Sequence, residues 1–256
     1  MLKGIIADIQ RASIHDGEVI RTTVIFKGCP IHCAWCHNPE CINFESQILY
    51  YPEKCIGCGM CDQGCYAGAK VICGREMTTE TLLQEILQDV PYYGNNGGVT
   101  FSGGEPLAQK EFLSSVLDAC KKHGINCAVE TSLIYFEEQV FQKLDFCIVD
   151  LKIWDEEIHR KYTGVSNAKI KENLIKLNGL GIPLIVRTPV IPEISQDIPE
   201  ISAFVRTLLN VKKYELLPYH PLGVTKAEAL GIVQERFEIP DKEFMKELER
   251  YAFIRG

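Results

Sequence analysis

Apolar and polar positions change rhythm along this chain. From about residue 77, short apolar runs alternate with stretches whose apolar residues recur every three or four positions. The runs at 98–101, 126–131, 146–152, 182–187 and 214–219 read as strands, and 19–26 adds one before them. Helices are predicted near 108–123 and over 137–143, with further helical stretches before the later strands. The strands are compact apolar runs, as expected where both faces of a sheet are covered. Alternating strands and helices predict a parallel sheet with helices outside it. A closed barrel of eight units takes about 250 residues with no insertion. The expectation is therefore an α/β fold, a partial (β/α)6 TIM-type barrel spanning 1–256. A helix over 242–253 closes it, with Asp241 near the cap.

One stretch breaks the rhythm. Residues 41–75 hold six of the 12 cysteines, several glycines and little periodicity. They read as a small ferredoxin-like module inserted between the first and second strands. The first residues lack the pattern of a signal peptide. No apolar run reaches the length of a membrane span. A cytoplasmic protein is expected, its cysteines serving metal or redox chemistry and not disulfides. The net charge is −7 and no basic cluster stands out, which argues against nucleic acid as a partner.

The cysteines fall into two groups. Cys29, Cys33 and Cys36 are spaced C-x3-C-x2-C, with no fourth cysteine in register. Three thiolates can hold three irons of a [4Fe–4S] cluster and leave the fourth iron open to a substrate. Structural zinc is the plain alternative, but such sites take four protein ligands. Gly28 and Pro30 shape the tight loop this requires. Cys55, Cys58, Cys61 and Cys65 follow the C-x2-C-x2-C-x3-C run of bacterial ferredoxins, here ending in Cys65-Tyr66. They predict one auxiliary [4Fe–4S] cluster, with a zinc knuckle as the alternative. Cys65 closes that cluster unless Cys41 or Cys73 does. Cys120, Cys127 and Cys147 occupy apolar positions and read as small buried hydrophobes. His15, His32, His123 and His159 carry no motif and read as surface or packing residues.

The segment Trp35-Cys36-His37-Asn38-Pro39-Glu40, after the first two cysteines, resembles the signature of radical S-adenosylmethionine (SAM) enzymes, and within them of the activating enzymes of glycyl radical enzymes. The stretch 13–17 with Ile20-Arg21-Thr22 is similar to what precedes that signature. The resemblance covers nearly the whole chain. It departs at one point, since many of these activases carry two ferredoxin-type runs and this chain has one.

The resemblance implies that the open iron binds the amino and carboxylate groups of SAM. Reductive cleavage would give methionine and a 5′-deoxyadenosyl radical, which takes hydrogen from a backbone glycine of the partner enzyme. It also implies a contact region at Trp35, Cys36 and His37, and a loop of Gly103, Gly104 and Glu105 that receives the methionyl amino group. Asp150 and Lys152 lie two apart and share one strand face, with Leu151 between them. They match a D-x-K triplet near the methionyl and ribose groups, and His220 matches a histidine near the nucleoside. Glu130, Thr131 and Ser132 end another strand and line the same mouth, and Arg187, inside an apolar strand, takes an anionic partner there, with a structural ion pair as the alternative. A flavodoxin- or ferredoxin-type electron donor and a monomeric state complete the expectation. The rival readings are a radical SAM enzyme acting on a small molecule and a non-catalytic iron–sulfur electron carrier.

Overall fold

The computed structural model describes residues 2–14, 19–61 and 64–255. His15, Asp16 and Gly17 of the stretch 13–17 lie outside them. The strands are β1 (Lys3–Ser13), β2 (Arg21–Phe26), β3 (Gln47–Tyr50), β4 (Lys70–Cys73), β5 (Arg75–Thr78), β6 (Gly98–Gly103), β7 (Asn126–Thr131), β8 (Phe146–Asp150), β9 (Leu184–Val190), β10 (Val211–Pro218) and β11 (Phe253–Ile254). The helices are α1 (Thr79–Leu87), α2 (Lys110–Lys122), α3 (Glu138–Phe141), α4 (Glu156–Thr163), α5 (Ala168–Gly179), α6 (Ile198–Thr207), α7 (Leu222–Ala229) and α8 (Lys242–Leu248).

Six strands run parallel in the order β2-β6-β7-β8-β9-β10, which is the expected partial barrel. Every residue of β2 is buried. Most of β6, β8 and β9 is buried too, because helices cover the outer face. Helix starts are set by local chemistry. Thr78 and Thr81 form a reciprocal capping box at α1, and Asp155 accepts from the Ile158 amide at 2.8 Å to start α4. Parallel strands end together, so Phe26, Gly103, Thr131, Asp150, Val190 and Pro218 all lie on one edge.

Three strands outside the alternation extend the sheet. β1 pairs antiparallel with β2, β5 with β1, and β11 with β10. The expected helix over 242–253 is shorter than that. Asp241 does cap it, accepting from the Phe244 amide at 2.8 Å, but α8 ends at Leu248 and Phe253 belongs to β11. Phe253 is drawn off the helix by its packing on Tyr214, with ring centroids 6.1 Å apart. The Arg255 guanidinium fixes the turn by donating to the carbonyls of Leu208, Val211 and Arg206. The helix predicted over 137–143 is the single turn α3. Within 41–75 the chain forms an antiparallel hairpin of β3 and β4, which brackets the second cysteine run. Among the described residues no helix is long and apolar enough to cross a membrane.

Candidate active site

The loop that follows β2 carries Cys29, Cys33 and Cys36, and its neck is tied by backbone bonds. Gly28 donates to the Cys41 carbonyl at 2.8 Å and Cys29 to that of Ile42 at 3.0 Å. Gly28 has φ +92, the left-handed region that glycine enters without strain. Helix α4 holds the loop from the far side: its Thr163 and Tyr162 carbonyls accept from His32 at 3.0 Å and Ala34 at 2.8 Å. The side-chain amide of Gln234 donates to the Cys36 carbonyl at 2.8 Å.

The Ser102-Gly103-Gly104-Glu105 segment at the end of β6 lies directly on this loop. Gly104 donates to the Phe26 carbonyl and Glu105 to that of Gly28, each at 2.8 Å. A Cβ on Gly104 would come within 2.5 Å of the Gly28 carbonyl oxygen and 2.7 Å of that of Cys41. The absence of a side chain therefore lets two backbones meet.

A cavity opens where these pieces converge on the strand ends. It is lined by Cys29, Cys33, Cys36, Trp35, His37, Gly103, Gly104, Glu130, Thr131, Asp150, Lys152 and His220, all named by the sequence reading. Ser102, Asn38, Ile31, Pro189, Leu217, Pro218 and Tyr219 also line it and had not been assigned. Most of these are chain neighbours of assigned positions at the strand ends, which is the signal that would have found them. Asp150 and Lys152 pair at 2.8 Å. Burial alone lowers the Lys152 ammonium, but Asp150 and the Cys33 and Cys29 sulfurs outweigh it and hold it above its usual value. The His37 and His220 rings meet edge to face with centroids 4.5 Å apart. The Tyr219 hydroxyl is buried on this wall with no hydrogen-bond partner among the described residues, which suits an added polar group.

Three of the expected residues stand behind the wall. Glu105 is fully buried. It accepts from the Thr131 hydroxyl at 2.7 Å, from the Ser132 amide at 2.9 Å and hydroxyl at 2.6 Å, and from the Leu107 amide at 3.2 Å. It thus ties the end of β6 to the end of β7. Leu151 packs in the main core, as its place on the opposite strand face requires. Arg187 bridges Glu130 at 2.9 Å and Glu215 at 2.8 Å. Ser102 donates to the other Glu130 oxygen at 2.5 Å, so that carboxylate is fixed from both sides.

Desolvation pushes the Cys29 and Cys36 thiols up to about 12 and raises Cys33 as well. Such thiols keep their protons until a cation replaces them, which is what a bound cluster does. Three cysteines lining one cavity at C-x3-C-x2-C spacing fit a [4Fe–4S] cluster held by three thiolates.

In the insert, Cys55, Cys58, Cys61 and Cys65 line a second cavity, together with Tyr50, Met60, Ala69 and Lys70. The nearby backbone amides, that of Lys70 foremost, hold the Cys65 thiol below its usual value. Cys41 and Cys73 lie apart from this cavity and are both buried, the Cys73 thiol donating to the Glu40 carbonyl at 3.8 Å. Cys120, Cys127 and Cys147 are fully buried in the main core.

Residues 23–205 match the model of the radical SAM superfamily. The chain is 35% identical to the (2S)-3-sulfopropanediol dehydratase activating enzyme of Klebsiella oxytoca, over 97% of this chain and 93% of that one. It is 34% identical to the trans-4-hydroxy-L-proline dehydratase activating enzyme of Clostridioides difficile, over 96% and 95%. It is 36% identical to the indoleacetate decarboxylase activating enzyme of Tractidigestivibacter scatoligenes, over 90% and 87%. The Klebsiella match runs over 294 positions against a chain of 256 residues, so that relative carries segments this chain lacks. Among solved structures, a domain of pyruvate-formate lyase-activating enzyme from Bacteroides vulgatus superposes with a TM-score of 0.51 at 26% identity, covering 61% of this chain and 92% of that one. SuiB from Streptococcus suis shares the fold, with a TM-score of 0.59 at 14% identity over 88% of this chain and 43% of its own. With its cysteine loop, glycine segment and strand-end cavity in one place, the chain belongs to the radical SAM superfamily and, within it, to the activating enzymes of glycyl radical enzymes.

Proposed function

We propose that this enzyme binds a [4Fe–4S] cluster through Cys29, Cys33 and Cys36, and SAM across the strand-end cavity, to place a radical on a backbone glycine of a partner glycyl radical enzyme. The observation that carries this reading is the cavity itself, which Cys29, Cys33 and Cys36 line together with Glu130, Asp150, Lys152 and His220. When bound, the cluster supplies the electron that cleaves SAM to methionine and a 5′-deoxyadenosyl radical.

The chain's own residues orient and enclose. Backbone groups of Gly103 and Gly104 receive the methionyl amino group, close to the cysteine loop because no side chain intervenes. The Asp150–Lys152 pair offers a carboxylate and an ammonium to a zwitterionic methionyl end. Glu130, fixed by Ser102 and Arg187, keeps negative charge near a cationic sulfonium. His37, His220 and Trp35 form the wall for the nucleoside. Ile31, Pro189, Leu217 and Pro218 give that mouth apolar surface, which limits water at a reactive radical. Leu151, Glu105 and Arg187 act from behind it.

The insert binds one auxiliary [4Fe–4S] cluster, with Cys65 as closing ligand. The shared cavity of Cys55, Cys58, Cys61 and Cys65 supports this, as does the separate burial of Cys41 with Cys73. The reading also takes the enzyme to be a cytoplasmic monomer fed by a flavodoxin- or ferredoxin-type donor. Anaerobic protein should hold about eight irons per chain. Cys65→Ala should lower that count, whereas Cys73→Ala should not. Reduced enzyme should convert SAM to 5′-deoxyadenosine and methionine, and Cys36→Ala should abolish this. Cleavage that survives Cys36→Ala overturns the assignment of the first cluster, and about four irons in the intact chain removes the second.

A further inference from the structure

The segment after β10 closes back on the third cysteine. Helix α7 starts at Leu222, directly after His220 and Pro221, and Gly223 in its first turn is buried. A Cβ on Gly223 would stand 2.0 Å from the Cys36 carbonyl oxygen, 3.0 Å from the carbonyl carbon and 3.1 Å from the His37 Cα. All three are backbone atoms, which no rotamer change can move aside. The Gly223 backbone is helical, so conformation alone does not call for glycine, and within a helix glycine is a poorer choice than alanine. What the missing side chain provides is close approach to the Cys36–His37 peptide.

Two further residues of the same segment reach the same stretch of the cysteine loop. Lys226, three positions on and so on the same helix face as Gly223, donates to Asn38 Oδ1 at 2.6 Å and to Glu40 Oε1 at 2.7 Å. The helix then ends on Gly231, at φ +72, and the Ile232 amide donates back to the Ala227 carbonyl at 2.9 Å. That turn returns the chain to the loop, where the Gln234 side-chain amide donates to the Cys36 carbonyl at 2.8 Å. Gln234 Oε1 is buried with no hydrogen-bond partner among the described residues, so the bond to Cys36 is what fixes this amide. Cys36, Asn38 and Glu40 are thus gripped in turn by the stretch 223–234.

The grip bears on one end of the cavity. Cys36 and His37 line it, and so does His220, which leads into α7. The edge-to-face contact of the His37 and His220 rings spans the junction that Gly223 holds closed. Gly103, Gly104, Asp150 and Lys152 belong to other elements, at the ends of β6 and β8. A displacement at Gly223 therefore acts on the nucleoside end of the cavity before the methionyl end.

We propose that Gly223 and Gln234 are positioning residues that hold the Cys36–His37 peptide against α7 and so set the affinity for the nucleoside half of SAM. The inference rests on the reading of this cavity as the SAM site. The test compares the binding of SAM and of methionine alone to anaerobic, iron-loaded enzyme. Gly223→Ala should weaken SAM by about tenfold, the order that one or two lost contacts carry, while methionine affinity and iron content hold. Equal losses for SAM and methionine, or no loss of SAM affinity, overturn the proposal. If Gly223→Ala does not load iron, Gln234→Leu serves instead, since it removes the donor to Cys36 and adds no bulk at the junction. The same split between SAM and methionine is expected of it, and its absence overturns the proposal equally. Unsubstituted, iron-loaded enzyme that binds no SAM would instead overturn the reading of the cavity, so the two failures are told apart.

Discussion

Gly104 shows how much one missing side chain decides. Its backbone lies against the Gly28 and Cys41 carbonyls at distances that no Cβ tolerates. Gly104→Ala should push the glycine segment off the cysteine loop and slow SAM cleavage by about 100-fold, as small displacements at a reacting centre do. The unfolding transition should move far less, and a kinetic assay beside a denaturation curve separates the two. His159 acts at longer range. It is buried, and its Nδ1 meets the Val165 carbonyl at 2.8 Å in the turn after α4. The Thr163 hydroxyl bonds the His159 carbonyl at 2.7 Å, and the Thr163 carbonyl holds the cysteine loop. Burial lowers the His159 imidazole below its usual value. The unfolded chain therefore takes up a proton that the folded chain refuses. Stability from this residue is full above the ordinary imidazole range and is lost as the pH falls through the lowered value. His159→Gln should flatten that acid-side slope in a series of denaturation curves.

At the level of elements, the βα junctions carry the site. Glu105 joins β6 to β7 by accepting from four donors, and burial raises its carboxyl against the pull of those bonds. Glu105→Gln turns an amide N–H toward one of them and leaves buried groups mismatched. The expected loss is about 1–3 kcal/mol, read as a lower denaturation midpoint. The parallel strands were legible in the sequence because doubly covered strands are plain apolar runs. The strand-end residues were legible for the same reason: Asp150 and Lys152 are polar interruptions in such a run. β1 was not, because burial fades beyond Ile6 and its outer half is exposed. β11 has two residues, too few for any period, and only tertiary contacts of Phe253 and Arg255 make it a strand. Leu151 was placed among cofactor contacts by its motif, although strand alternation turns it into the core. The hairpin of β3 and β4 was hidden by a cysteine- and glycine-rich composition that outweighs its eight strand residues.

For the whole molecule, the open sheet brings one edge of six strands to a single mouth, and the insert joins that mouth at the neck of the cysteine loop. The relatives are named as activating enzymes of dehydratases and of a decarboxylase, and those glycyl radical enzymes make a test panel. The most direct measurement mixes anaerobically reduced enzyme with SAM and each such partner, and follows electron paramagnetic resonance. A doublet from a glycyl radical on one partner, lost with Cys36→Ala, is the predicted result. Full cleavage of SAM with no protein radical on any partner that its own activator does convert would contradict the account.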